Sequence, residues 1–226
     1  MTENIPNRSG DPFTTDDESQ ILNTIDRWLE KDVKDKVLAL DHADEYPTQM
    51  VEQMKSLGLF GATISQRYGG LGMPSASYAK VVTAVSEVWM SLTGIFNSHL
   101  IMAAAVERFG TEEQRQRFLP KFATGEIRGG LALTEPSCGT DLQAIRTKAH
   151  KDGDHYVING AKTWISNGIQ GDCVALLVKT DTEIQPRHKG MSLFLAEKGP
   201  GFSVGPKLKK LGYKGIDSAE LFFDDY

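Results

Sequence analysis

Two blocks of the 226-residue chain carry residue types that could do chemistry together. In the first, Leu131-Ala-Leu-Thr-Glu-Pro-Ser-Cys-Gly-Thr-Asp141, an apolar run ends in Thr134. The turn that follows offers a hydroxyl and a glycine where backbone N–H groups can face an anion. That is chemistry suited to a phosphate. In the second, Asn159-Gly-Ala-Lys-Thr-Trp-Ile-Ser-Asn-Gly168, Trp164 and Ser166 stand two residues apart. On a strand both side chains then face one side and can lie against one flat ligand. Taken singly, each block also has an ordinary reading. Gly, Pro and Asn mark common turns, and a strand tryptophan is core as readily as ligand cover.

Other chemistries lack their residues. No G-x-G-x-x-G follows a strand, no Walker loop occurs and no G-x-S-x-G elbow is present. The histidines at 42, 99, 150, 155 and 188 have no ligand spacing, so no metal site is expected. Glu112-Glu113 and Asp224-Asp225 are paired in sequence only, because neighbours on a helix or strand do not face each other. Cys138 and Cys173 fit no Cys-x-x-Cys pattern and read as free thiols.

The elements that must position the two blocks follow from periodicity. Residues 1–14 read as a flexible lead-in without pattern, and Thr15-x-x-Glu18 has the form of a capping box opening a helix through Trp28 and Leu29. A second helix is predicted from Pro47 to a stop at Gly58, and two more over 77–90 and 92–109. A short one opens at Thr111-x-x-Gln114 and ends before Pro120 and Gly125. Beyond this point the pattern becomes β: 128–133, 147–151, 155–159, 163–166, 173–180, 191–196, 202–204 and 220–223, with Asp152-Gly153, Asn159-Gly160 and Asn167-Gly168 as turns. Glu183 to Lys189 reads as an exposed excursion between two strands. Helices first and strands second, without alternation, predict an α+β protein: an all-α domain over 15–127 and a β-barrel-like domain over 128–226.

With 40% hydrophobic and 24% charged residues, the composition is that of a globular protein. The net charge of -5 and the single short basic cluster Lys207-Leu-Lys-Lys210, read as a solvated turn, argue against nucleic acid. The strongest apolar run, Leu100 to Val106, is far below the ~20 residues that span a bilayer, so no membrane partner is expected. The acidic N-terminus lacks signal or transit character and predicts a cytoplasmic protein.

Three further blocks join the first two in order and approximate spacing: Arg67-Tyr-Gly-Gly-Leu-Gly72, Phe109-Gly-Thr-Glu-Glu-Gln-Arg115 leading to Leu119-Pro120, and Lys210-Leu-Gly-Tyr-Lys-Gly215 leading to Ala219-Glu-Leu-Phe-Phe-Asp224. Together they resemble the N-terminal helical and middle β domains of the acyl-CoA dehydrogenases. The resemblance implies FAD as cofactor, with the Leu131–Thr140 segment, including Leu131 and Leu133, along the ring and pyrophosphate. It further implies Thr134 hydrogen-bonded to the ring, Gly139 and Thr140 at the phosphates, Thr140 also at the acyl-CoA, Trp164 over one ring face and Ser166 near N5. Arg67–Gly72 is either a loop near the substrate or a plain connection, and 97–102 either lines the acyl cavity or packs the interior.

Three departures accompany the resemblance. Ser166 stands where the family often has Thr, Cys138 where it prefers a small residue, and Leu131 where an aromatic is frequent. The family continues past the region of Phe222–Asp225 into a second helical domain that carries the glutamate base. No catalytic residue is therefore expected here, and these residues alone are expected to be inactive. The family's activity, α,β-dehydrogenation of an acyl-CoA in fatty acid metabolism with electrons passed to an electron-transfer flavoprotein, and its homotetrameric assembly are the corresponding expectations. Related nitroalkane oxidases and monooxygenases, or a non-catalytic binding module, are the alternatives.

Overall fold

The computed structural model describes residues 13–226, which form two compact units meeting in sequence between Glu126 and Ile127. The expected lead-in at 1–14 therefore falls almost wholly outside the described residues.

The first unit contains α1 (Thr15–Trp28), α2 (Val37–Ala43), α3 (Thr48–Ser56), α4 (Ser75–Phe109) and α5 (Glu112–Thr124). Helix α1 is capped one residue earlier than the sequence suggests. The Thr14 hydroxyl accepts from Asp17 N–H while the Asp17 carboxylate accepts from Thr14 N–H, so the box is Thr14–Asp17 and not Thr15–Glu18. Glu18 is thereby freed to bind Ser77 and Lys80 on α4. Between α1 and α2 the chain runs through a π turn (Leu29–Val33) and a 3-10 turn (Lys34–Lys36). No regular apolar period marked this stretch in the sequence.

The two helices predicted over 77–109 form α4, whose direction breaks at Trp89 (φ -156°, ψ 100°). The Ser86 and Thr93 hydroxyls bond across the break at 2.8 Å, and the Trp89 indole donates to Asp41 at 3.2 Å. By length and composition α4 could cross a membrane, contrary to the sequence expectation, but 61% of its apolar window is buried within the protein, as in a core helix. The capping box at Thr111–Gln114 opens α5 as read. Of the two expected stops Gly125 caps the helix and Pro120 does not end it: α5 runs on to Thr124, because buried Phe118, Leu119 and Phe122 hold the helix through a residue that lacks an N–H.

The second unit is a single sheet of seven strands: β1 (Gly129–Ala132), β2 (Lys148–Asp152), β3 (His155–Ser166), β4 (Cys173–Lys179), β5 (Met191–Glu197), β6 (Phe202–Val204) and β7 (Ser218–Phe223). β1 pairs in parallel with the first half of β4. β2 meets β4 in parallel at its far end, through Lys148 and Lys179. The chain from 133 to 147 is thus an excursion between two strands that share β4 as a partner. The β4–β5 hairpin carries the excursion anticipated at 183–189, with residues 181–189 all exposed. Its core gathers Ala132, Ile158, Ile165, Val174, Leu176, Val178, Leu221 and Phe223, all from this unit.

Two strands predicted over 155–166 are one, and Asn159-Gly160 is not a turn. β3 pairs with β2 up to Asn159 and with β7 from Gly160 onward, so Gly160 is where the strand changes partner. Its φ of 152° and its closeness to Thr147, where a Cβ would come within 2.5 Å of Oγ1, explain the glycine. Nor is the basic cluster simply solvated: Lys207 donates to Lys214 O and Lys210 to Ile216 O and Ser218 Oγ, closing the loop before β7.

Candidate functional site

The two blocks singled out in sequence lie side by side. Thr163 N–H donates to Thr134 O at 2.9 Å, and the Asn167 side chain donates to Gly129 O at 2.9 Å, so the end of β3 runs along β1 in the opposite sense. Leu131, Leu133 and Thr134 are half-buried along this seam, whereas Gly139 and Thr140 are exposed on the turn beyond it. That turn is closed by reciprocal backbone bonds between Glu135 and Cys138, at 2.9 and 3.1 Å.

The strand argument for Trp164 and Ser166 needs correction in its geometry. Register slips between Lys162 and Ile165, and Trp164 has a left-handed backbone with φ 60°, so this is a bulge and not regular strand. The bulge nevertheless leaves Ile165 buried between an exposed Trp164 and a half-buried Ser166. Trp164 keeps 57% of its surface open. A bulky residue in this conformation costs about 1–3 kcal/mol, a strain that tends to gather at functional sites. The strand tryptophan is not core.

What holds the bulge to the turn is a residue the sequence reading did not single out. Lys162 is buried and donates to Leu133 O at 3.1 Å and to Glu135 Oε1 at 2.8 Å, with side-chain exposures of 0% and 3% for the ion pair. Glu135, anticipated only as a turn stabiliser, also accepts from Arg146 N–H, Thr147 N–H and the Thr147 hydroxyl. Burial works against its charge, but Lys162 and the Thr147 and Arg146 donors outweigh it and hold the carboxyl below the usual glutamate range. Burial also pulls the Lys162 ammonium below its usual value, against the attraction of Glu135. In the sequence Lys162 falls between the β-type runs 155–159 and 163–166, where a lysine reads as a solvated turn residue, so nothing local pointed to its burial.

Around this hub several polar groups point to no protein partner. Among the described residues, no hydrogen bond engages the Thr134, Thr140 or Ser166 hydroxyls, the Trp164 indole N–H, or the Gly139 and Thr140 backbone N–H groups. The space at Gly139 is open: a Cβ there would meet only Thr134 Cγ2, at 3.9 Å. An aromatic plane, two half-buried hydroxyls and a turn with free N–H groups suit a ligand with a flat polar ring and phosphates. Cys138 carries a free thiol, and burial pushes the Cys173 thiol up to about 12, which disfavours its thiolate.

The two motifs of the helical unit have structural roles. The Arg67–Gly72 loop is bonded to the preceding segment through Leu71 N to Gly61 O, Gly72 N to Ile64 O and Met73 N to Ala62 O. Arg67 also pairs with Glu112. In the 97–102 stretch of α4, His99, Leu100 and Met102 are buried, and His99 bonds Phe122 O at 3.1 Å.

A helical unit followed by a β unit with an open polar seam is the arrangement that the comparisons identify. Residues 15–126 match the acyl-CoA dehydrogenase N-terminal domain and residues 130–226 the acyl-CoA dehydrogenase middle domain. The chain belongs to the acyl-CoA dehydrogenase family. It is 36% identical over 213 residues to the short-chain specific acyl-CoA dehydrogenase of Clostridium acetobutylicum, covering 93% of this chain and 56% of that protein. A chain in the structure of the electron transferring flavoprotein of Acidaminococcus fermentans superposes with a TM-score of 0.88 at 34% identity, over 95% of this chain and 57% of that one. The Bacillus anthracis acyl-CoA dehydrogenase complexed with FAD gives a TM-score of 0.82 at 29% identity, over 96% and 37%. The chain spans about half the length of the curated relatives it matches.

Proposed function

We propose that this protein is an FAD-dependent acyl-CoA dehydrogenase and that residues 127–226 supply one wall of its flavin site. The observation that carries the reading is the seam itself: an exposed Trp164 plane beside the unpartnered hydroxyls of Thr134 and Ser166, pinned by the Thr163–Thr134 bond. FAD, when bound, supplies the acceptor for a hydride leaving the β-carbon of the acyl thioester, while the α-proton goes to a base. Trp164 would cover the ring, and Thr134 and Ser166 would bond its polar edge. The Gly139 and Thr140 N–H groups would meet the pyrophosphate, and the Thr140 hydroxyl the acyl-CoA. Glu135 is not the base, because its oxygens are engaged by Lys162, Thr147 and Arg146. Transfer of the electrons to an electron-transfer flavoprotein, and assembly into a homo-oligomer, belong to the same proposal. The neighbour from A. fermentans, a chain in the structure of an electron transferring flavoprotein, supports the first, and the second rests on the family resemblance alone.

The test is anaerobic addition of acyl-CoA thioesters to the flavin-loaded protein, with Trp164→Ala and Ser166→Ala alongside. Substrate should bleach the flavin, and each substitution should weaken flavin binding by roughly 10-fold or shift its absorbance. Because Trp164 is largely open and strained, its removal should lower stability by no more than about 1 kcal/mol, far less than removal of a buried tryptophan. Unchanged flavin spectra and affinity in both variants would refute the site.

A further inference from the structure

We propose that Asp217 is a positioning residue of the candidate flavin seam, fixing through the turn at 167–171 the backbone that carries Trp164 and Ser166; this rests on the function proposed above. Asp217 immediately precedes β7, where Ser218 is the register partner of Ser166 and Ala219 that of Ile165. The residue thus sits beside the bulge on the neighbouring strand.

One acid gathers the N–H groups of the turn. Asn167 N–H donates to Asp217 O at 3.2 Å, Ile169 N–H donates to Asp217 Oδ2 at 2.7 Å, and Gln170 N–H also bonds the carboxylate. Two cations hold the same turn by its carbonyls: Lys198 Nζ donates to Ile169 O at 2.7 Å and the Arg128 guanidinium to Gln170 O at 3.2 Å. Gly168 N–H closes the turn on Ile165 O, and the Asn167 side chain ties it to β1 through Gly129 O. The bulge needs such a clamp, because Trp164 (φ 60°) and Asn167 (φ 59°) both take the left-handed conformation, one on each side of Ser166. Backbone of this kind persists only where the surroundings over-determine it.

The acid stands there at a cost. Asp217 is buried, and its Oδ1 has no hydrogen-bond partner among the described residues. A buried acceptor without a donor lowers stability. Burial also pushes the carboxyl above the usual aspartate range, against the pull of the Ile169 and Gln170 N–H groups and of Lys198. A small apolar residue would avoid both costs but could not bond those N–H groups. What the carboxyl supplies is the shape of the turn, and through it the placing of the indole and the hydroxyl.

The experiment compares Asp217→Ala, Asp217→Asn and Lys198→Met with the unsubstituted protein, flavin-loaded and flavin-free. Asparagine keeps an acceptor for the Ile169 and Gln170 N–H groups, alanine removes it, and replacing the exposed Lys198 releases the turn from its other side with little risk to folding. Flavin affinity should fall roughly 10-fold in Asp217→Ala and about 3-fold in Lys198→Met, with a shifted flavin absorbance in both, whereas Asp217→Asn keeps the original affinity and spectrum. A role confined to stability would lower the unfolding temperature of Asp217→Ala and leave the spectrum of the loaded protein unmoved. Trp28 and Trp89 are buried, so acrylamide quenching of the flavin-free protein reports chiefly on Trp164; it should rise in Asp217→Ala and Lys198→Met and not in Asp217→Asn. Unchanged flavin affinity and spectrum in Asp217→Ala would overturn the proposal, and so would an Asp217→Asn protein as impaired as Asp217→Ala. If Asp217→Ala does not fold, the same measurements on Lys198→Met decide. If the unsubstituted protein binds no flavin, the flavin reading fails, and the quenching alone decides whether Asp217 positions Trp164: a rise supports it, and no change rejects it.

Discussion

At the scale of single residues, the β unit is organised by the Lys162–Glu135 pair. Breaking one side of a buried ion pair leaves an uncompensated charge, so Lys162→Met should destabilise the protein by about 3–5 kcal/mol. Replacing both partners by apolar residues often restores stability elsewhere, but not here. Glu135 also satisfies Arg146 N–H, Thr147 N–H and the Thr147 hydroxyl, and a Lys162→Met/Glu135→Leu protein would orphan them. Chemical denaturation of the single and double variants checks this order. The same pair sets a pH response. The Glu135 carboxyl is held below its ordinary value in the fold. Its contribution is therefore complete above the unfolded value of about 4.3 and is lost as pH falls through the folded value. Acid unfolding of Glu135→Gln should show a weaker dependence in that range. Little of this was legible in the sequence, because a lysine between two short β-type runs reads as solvent-facing until the excursion that brings Glu135 to it is known. Trp164, Thr134 and Ser166 were legible, since their types and spacing are local.

At the scale of elements, local signals succeeded where nothing distant competed. The Thr111–Gln114 box, the stop at Gly58 and the strand at 202–204 needed only their neighbours. Pro120 and Asn159-Gly160 misled for one reason: their local preference is to end an element, and tertiary packing overrode it. Glycine 160 offers the sharper test. A Cβ there would lie within 2.7 Å of Thr147 Cα, on backbone with φ 152°. Gly160→Ala should cost about 3 kcal/mol, combining overpacking with backbone strain, and should disturb the Thr147 bond to Glu135. Gly153, at φ 57° in a turn with nothing within 4 Å, is the control, and Gly153→Asn should change stability by less than about 1 kcal/mol. Thermal unfolding of both variants compares them, and an equal loss at the two sites would show that close approach to Thr147 is not what selects the glycine.

At the scale of the whole molecule, the division near residue 127 was visible as a change of hydrophobic period, from helical spacing to short β-type runs. What the sequence could not show was which strands supply the core of the β unit. Its core draws on β1, β2, β3, β4, β5 and β7, and the residues packed at its margin, Phe194, Phe202, Val204 and Tyr226, come from the same unit. The aromatic rings of Phe202, Phe223 and Tyr226 contact one another at centroid separations of 4.7 to 5.8 Å, which joins β6 and β7 to the end of the chain. The hub at Glu135 and the bulge at Trp164 both rest on bonds within residues 127–226. A polypeptide of these 100 residues is of a size that folds alone when its core is internal. It is expected to give a β-type circular dichroism spectrum, a single cooperative urea transition and slow amide exchange at β4 and β7, whose residues are mostly buried. A non-cooperative transition, or exchange without protection in those two strands, would mean that the helical unit supplies part of what holds the seam together.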